Sequence, residues 1–144
     1  MANEVKKVYG TQKTLSTSIA AFANNAVSAA VGTYNSTDTL DYPDAEFVLK
    51  VAFGTAPTEG ATIDILIRPL NIQGTNDTGA PQASYQPHRY GSFQVDNVTT
   101  SQYLFATTYD LPKEGEIYLY NNGTGQTTSA NAELYMTPKT LAPS

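Results

Sequence analysis

The chain has 144 residues and no cysteine, so neither a disulfide nor a thiolate metal site is available to it. Its net charge is −5, and only eight residues are lysine or arginine. Because nucleic-acid backbones and anionic membranes attract clustered cations, we expect neither as a partner. The twenty threonines and ten tyrosines favour β-strands over helices.

Residues 1–14 are interpreted as a polar N-terminal arm, and residues 15–144 as a single domain. The arm carries Lys6, Lys7 and Lys13, and it contains a short strand pattern over Glu4 to Tyr9. Such an arm either frays in solution or becomes ordered against a neighbouring subunit. The polar start lacks the apolar run of a signal peptide, which predicts synthesis in a cytoplasm.

The segment from Leu15 to Val31 has two interpretations. Its apolar residues recur at helical spacing, but Asn24 and Asn25 interrupt the pattern and the segment begins with poor helix formers. The alternative is two short strands with a turn at the asparagine pair. We favour strands because the rest of the chain is strand-like.

Clear alternation begins after a turn at Tyr42 to Ala45. Glu46 to Phe53 alternates, as does Ala61 to Leu70, and a turn rich in Gly, Pro and Thr separates them. The inward set predicted for these two segments is Phe47, Leu49, Val51, Phe53, Ile63, Ile65 and Ile67. Because the connection is short, the two segments are predicted to pair as antiparallel strands.

A long polar loop is predicted over Asn71 to Arg89, and strands follow it at regular spacing. They are Tyr90 to Val95, Gln102 to Tyr109 with Tyr103, Phe105 and Tyr109 in phase, Glu116 to Tyr120, and Ala132 to Thr137. The fold class is therefore all-β. We predict an antiparallel β-sandwich or jelly-roll-like barrel of about seven or eight strands, with an extended N-terminal arm.

Catalytic patterns are missing from the sequence. The single histidine, His88, lies in a loop flanked by proline, without a nucleophile motif. Four clustered carboxylates could offer oxygens to calcium, but their spacing is not that of an EF-hand loop, and we interpret them as solvated turn residues: Asp38, Asp41, Asp44 and Glu46. We therefore predict that the chain is not an enzyme and has no metal or cofactor.

Tyrosines mark the candidate contact surface. Tyr118 and Tyr120 alternate with Ile117 and Leu119, and Tyr135 lies between two apolar residues, so all three tyrosines are predicted to face outward. Outward tyrosines pair across strands or form interfaces, and both alternatives stay open. The candidate protein-contact residues are these three with Lys6, Lys7 and Lys13.

Several segments resemble small virion structural proteins of tailed bacteriophages. They are Tyr42 to Leu49, Ala56 to Gly60, Ile67 to Asn71, Gly91 to Val95 and Thr137 to Leu141, and the resemblance covers about residues 40–142. It implies a capsid decoration (cement) protein that sits on the head, a virion location, the major capsid protein as partner, and a homotrimer. Two alternatives remain, a phage tail or fibre component for host adsorption and a carbohydrate-binding β-sandwich module.

Overall fold

The computed structural model describes residues 4–70 and 79–143, and strands dominate both ranges. The strands are β1 (Val5–Tyr9), β2 (Lys13–Ile19), β3 (Gly32–Tyr34), β4 (Asp44–Val51), β5 (Thr62–Pro69), β6 (Arg89–Gln94), β7 (Gln102–Thr108), β8 (Gly115–Asn122) and β9 (Ala132–Pro143). One short helix, α1 (Ser36–Thr39), lies between β3 and β4.

The strands form two antiparallel sheets. The five-stranded sheet has the order β1-β9-β4-β7, with β2 also paired to β9, and the four-stranded sheet has the order β3-β8-β5-β6. The all-β sandwich predicted from the sequence is therefore confirmed, with nine strands in the described ranges where seven or eight were expected.

A single core lies between the sheets. Alternation on β4 buries Phe47, Leu49 and Val51 completely, and the four-stranded sheet contributes Ile63, Ile65 and Ile67 from β5. Residues of β6, β8 and β9 complete the core, among them Phe93, Ile117, Leu119, Leu134 and Met136. The predicted inward set is confirmed.

The predicted pairing of the two clearest strands is wrong. β4 pairs with β7 and β9, whereas β5 pairs with β6 and β8 in the other sheet. The connection between them therefore crosses from one sheet to the other. A short connection excludes a parallel crossover, but it does not require the flanking strands to be neighbours.

The segment that was ambiguous in sequence contains no helix. β2 covers its first part. Residues 20–31 run alongside β8 without forming a regular strand, and an isolated bridge joins Val27 to Tyr120. The preference for strand is confirmed for the first part only. The helix α1 follows instead at Asn35, whose side chain accepts from the Asp38 N–H and caps it.

The structure can be compared with two further predicted segments, the N-terminal arm and the long polar loop. The short strand expected near Glu4 to Tyr9 is present as β1, and the boundary drawn between residues 14 and 15 falls inside β2. Of the polar loop predicted over Asn71 to Arg89, residues 71–78 lie outside the described ranges.

Gly115 shows how closely the elements pack at the start of β8. A Cβ atom at this position would lie 2.6 Å from Cγ2 of Ile67 and 2.8 Å from the ring of Tyr34. Any larger residue would push apart two fully buried side chains. Glycine at this position therefore lets β3, β5 and β8 come together at one end of the sandwich.

Candidate functional site

The outward face of the five-stranded sheet carries a group of exposed aromatic side chains, and we call this surface the aromatic face. Tyr103, Phe105 and Tyr109 are 70 %, 58 % and 66 % exposed. Tyr103 and Phe105 lie on β7, and Tyr109 follows directly after it. The opposite side of β7 buries Ala106 and Thr108 against the core, so alternation directs the larger aromatic residues to solvent.

Strand register arranges the aromatic face in rows. Val48 on β4 is directly opposite Phe105 on one side and Tyr135 of β9 on the other. These three side chains form an apolar row across three strands. Directly opposite side chains in antiparallel strands are close enough to contact one another, so the row is continuous.

An ion pair borders the apolar row on one side. Lys50 Nζ lies 3.2 Å from a carboxylate oxygen of Glu133 and 5.9 Å from the centre of the Tyr103 ring. The Tyr135 hydroxyl donates to the same carboxylate, and this bond together with Lys50 lowers the pKa of Glu133. The carboxylate raises the pKa of the Tyr135 hydroxyl in return.

A second ion pair borders the row on the other side. Lys139 Nζ lies 3.3 Å from Oε1 of Glu46, which also accepts from the Tyr9 hydroxyl at 3.3 Å. The Lys139 ammonium is 5.6 Å from the centre of the Tyr109 ring. A shallow depression of about 210 Å³ lies here, and it is lined by Lys7, Asp44, Tyr109, Lys139, Thr140 and Leu141.

The three predicted contact lysines do not come together. Lys6 and Lys7 are exposed on β1, whereas Lys13 on β2 lies 2.8 Å from Asp38 Oδ2. The hydrogen bond from Lys13 lowers the pKa of Asp38. Lys13 therefore serves an intramolecular ion pair near α1.

The three predicted contact tyrosines lie on different surfaces. Tyr118 and Tyr120 point outward from the four-stranded sheet, but Tyr118 is only 7 % exposed and its hydroxyl donates to Glu116. The prediction that Tyr118 is available for contact is therefore corrected, because neighbouring atoms of the chain already cover its ring. Tyr120 is half-buried with the Arg89 guanidinium 6.0 Å from its ring, and Tyr135 belongs to the aromatic face.

The aromatic face itself was missed in the choice of contact residues. Tyr103, Phe105 and Tyr109 were recognised as lying in phase, but their bulk suggests a core face. The available signal was the other side of the strand, where Gln102, Ala106 and Thr108 alternate with them. Small and threonine side chains of that kind suit a tightly packed inner face as well as a solvated one.

Three of the four clustered carboxylates, Asp38, Asp44 and Glu46, have partners within the chain. Asp44 Oδ1 accepts from the Asp110 N–H at 3.0 Å, while Asp38 and Glu46 each hold a lysine. Across residues 4–70 and 79–143, no three His, Cys, Asp or Glu side chains gather in a way that could hold a metal ion. His88 is exposed in a loop, where its carbonyl accepts from Ile67.

Helices contribute little to the described part of the chain. Within it, none has both the length and the hydropathy that crossing a bilayer requires.

Comparisons with known proteins give matches only among solved structures. No protein-family model matches the chain, and no curated protein sequence does. A β-1,3-glucan binding CBM6 from Bacillus halodurans is 14 % identical with a TM-score of 0.45, over 94 % of this chain and 95 % of that one. CsCBM6-3 from Clostridium stercorarium, solved in complex with cellobiose, is 15 % identical with a TM-score of 0.40, over 94 % and 92 % of the two chains. The identities are low, and the fold assignment rests on the strand pairing described above.

Proposed function

We propose that this chain is a structural binding module, without chemistry of its own, that docks on a larger protein assembly through its aromatic face. The observation that carries the proposal is the row of Phe105, Val48 and Tyr135 across three strands, in which Phe105 is exposed and the other two are half-buried. Phe105 has no polar atom in its side chain, yet it is 58 % exposed. Clustered exposed apolar surface of this kind marks interaction sites in soluble proteins.

The arrangement of charges supports a protein ligand. The apolar row lies in the middle of the face, and the ion pairs Lys50–Glu133 and Lys139–Glu46 lie on either side of it. Protein interfaces have the same anatomy, with an aromatic-rich centre and a polar rim. Because the four charges of these two pairs are already partnered, covering them would leave none of the four isolated.

The shape of the aromatic face supports the same conclusion. Its depression near Lys139 holds about 210 Å³, which is below the roughly 300–1,000 Å³ of ordinary small-molecule pockets. A flat sheet face instead offers area to another flat surface. Tyrosines suit this purpose because they bring a large rigid ring and a hydroxyl group.

The assembly we propose is the shell of a tailed bacteriophage, with the major capsid protein as partner and a homotrimer as the bound form. The sequence resemblance over residues 40–142 is the support for this choice. A protein that binds only the assembled shell would stabilise that shell by mass action. The same face would serve a tail or fibre component, so location on the particle decides between them.

Immunogold labelling of phage particles produced in cells that contain the chain tests the location. Labels spread over the heads at icosahedral stoichiometry would support the decoration role. Labels confined to tails would replace it with the adsorption role, and unlabelled particles would exclude both.

Sedimentation of the purified chain with bare capsids tests the face. Because Phe105 is the most exposed member of the apolar row, Phe105→Ser should weaken binding by about thirtyfold, the effect of a typical interface hot spot. Tyr85→Ala is the matched control, since Tyr85 is another exposed aromatic residue and lies outside the aromatic face. Equal binding by both variants would exclude the aromatic face as the contact surface.

A carbohydrate ligand is the second candidate, and the surroundings of Tyr103 favour it. The ring is 70 % exposed and lies beside Lys50 and Glu133, which can exchange hydrogen bonds with sugar hydroxyls. The absence of tryptophan from the chain weighs against it. A glycan array that includes β-1,3- and β-1,4-glucan oligosaccharides tests this candidate, with binding that disappears in Tyr103→Ala as the supporting result and a silent array as the opposing one.

A further inference from the structure

Strands β1 and β9 extend past the rest of their sheet as a two-stranded ribbon of residues 5–8 and 140–143. The pairing between β4 and β9 stops at Asp44 and Lys139, while β1 continues along β9 from Tyr9 to Val5. Val5 and Leu141 are 63 % and 65 % exposed on this ribbon. Ribbons of only two strands are marginally stable in water, so an added strand would stabilise this one.

Among residues 4–70 and 79–143, no strand pairs with one edge of the ribbon, which leaves room for such a strand. β1 lies at the end of the sheet order, with β9 as its neighbour on one side. The Gly10 N–H donates to the Pro138 carbonyl at 2.8 Å, and hydrogen-bonded positions alternate along antiparallel strands. Residues 6 and 8 therefore pair with β9, and the backbone groups of Val5, Lys7 and Tyr9 point away from it.

The charge of this edge is distinctive within the chain. The chain has eight lysine and arginine residues, and five of them form ion pairs: Lys13, Lys50, Arg68, Arg89 and Lys139. In the described ranges, the ion pairs include neither Lys6 nor Lys7. Two adjacent ammonium groups therefore lie on the open edge, one on each side of the strand.

These lysines distinguish between possible partners. If β1 paired antiparallel with β1 of a second copy about Lys7, the two Lys7 side chains would face each other, which is unfavourable. Lysine on an edge strand commonly prevents such self-pairing. An extended segment with acidic side chains would instead be attracted by Lys6 and Lys7.

We infer that the open edge of β1 binds an extended acidic segment of another protein, which joins the sheet as an additional strand. Main-chain bonds to Val5, Lys7 and Tyr9 would hold the segment, and its carboxylates would select for the lysines. This site uses the backbone edge of the sheet, and it adjoins the aromatic face at Lys7, which also lines the depression there. It goes beyond the proposed function, and it stands or fails independently of the capsid.

Amide hydrogen exchange of the full chain, followed by NMR, tests this inference with a short capped peptide that alternates glutamate and valine. The amides of Val5, Lys7 and Tyr9 should exchange fast in the free protein and become at least about tenfold slower with saturating peptide. The amides of Lys6 and Val8 already bond to β9 and should change less. A peptide that alternates lysine and valine is the charge control, and it should protect none of them.

Variants separate the charge from the backbone contribution. The double variant Lys6→Glu, Lys7→Glu should weaken peptide binding by about tenfold or more, whereas Lys113→Glu, another lysine outside the ion pairs, should bind like the original chain. Lys7→Pro removes one edge donor without removing a bond to β9 and should also bind weakly.

Unchanged exchange at residues 5, 7 and 9 with the acidic peptide, or equal affinity of the double variant and Lys113→Glu, would overturn the inference. Phe105→Ser should bind the peptide normally, so failure here is distinguishable from failure of the aromatic face.

Discussion

The outward face of the five-stranded sheet and the outward face of the four-stranded sheet both carry large side chains, but the middle of the second face is covered. On the aromatic face, Tyr103 and Phe105 are more than half exposed. On the four-stranded sheet, Asp64 and Leu66 of β5 also point outward, yet they are 1 % and 0 % exposed. Strand alternation alone therefore does not decide which side chains meet solvent.

The polar groups of the two faces differ in the same way. Asp64 accepts from Thr62, Ser92 and Asn122 at 2.7–3.0 Å, and Arg89 lies 3.3 Å away, so a buried carboxylate is fully satisfied. The Glu133 carboxylate on the aromatic face has two partners and lies at the surface. The polar groups of the four-stranded sheet are therefore satisfied within the chain, whereas the aromatic face leaves aromatic side chains exposed.

The largest expected effect concerns Leu66 on the covered face. Leu66→Ala should lower the free energy of unfolding by about 2–5 kcal/mol, because it leaves a cavity where a side chain was fully buried. Val48→Ala, at an outward position of β4, is the control and should cost about 1 kcal/mol or less. Urea unfolding of both variants measures the difference. Similar losses would show that the two faces contribute equally to stability.

Asp64 is the buried polar residue on the same covered face as Leu66. Asp64→Asn keeps the size of the side chain but replaces an acceptor oxygen with a donor group, so some of Thr62, Ser92, Asn122 and Arg89 lose their acceptor. The free energy of unfolding should fall by about 1–3 kcal/mol. Glu59→Gln, an exposed carboxylate change, is the control. A loss no larger than that of the control would mean that the network contributes nothing.

Phe105 should matter for binding and contribute little to stability. Phe105→Ser should change the free energy of unfolding by no more than about 0.5 kcal/mol, because the side chain is mainly solvated. Its effect should fall on binding instead. Thermal unfolding by circular dichroism checks the first part, and a large loss of stability would mean that Phe105 supports the fold.

The smallest effect concerns protonation on the aromatic face. The Tyr135 hydroxyl should ionise above its ordinary range because Glu133 holds it, and Glu133→Gln should bring this pKa back down. Glu133 itself has a lowered pKa, so its stabilising contribution is present at neutral pH and is lost as the pH falls through its folded-state pKa. NMR titration of labelled tyrosine measures the pKa of Tyr135 and follows the protonation of Glu133 beside it. An unchanged Tyr135 pKa in Glu133→Gln would remove the hydrogen bond from the description of this face.

Much of the fold could be predicted from alternation. Phe47, Leu49 and Val51 on β4 face a single core, and period-two patterns specify that face directly. The assignment of β4 and β5 to different sheets could not be predicted, because it depends on β9, which lies some eighty residues further along the chain. Local sequence contains no information about such a partner.

The candidate site was less accessible to sequence reasoning. Tyr103 and Phe105 have the bulk of core residues, and only the depth of packing on each side of β7 shows which face they occupy. Tyr118 was misjudged for the converse reason. It lies opposite Leu66, and an outward position can still be covered.

Strand β9 has pairing partners drawn from widely separated parts of the chain, since β1, β2 and β4 all bond to it. During synthesis, these three strands would therefore leave the ribosome well before the strand that joins them. A fragment ending before Ala132 would hold unpaired strands and uncovered apolar side chains, a state prone to aggregation. The five-stranded sheet can therefore be completed only after β9 has been made, since β1 bonds to residues 139–143 of β9 and β2 to residues 132–136.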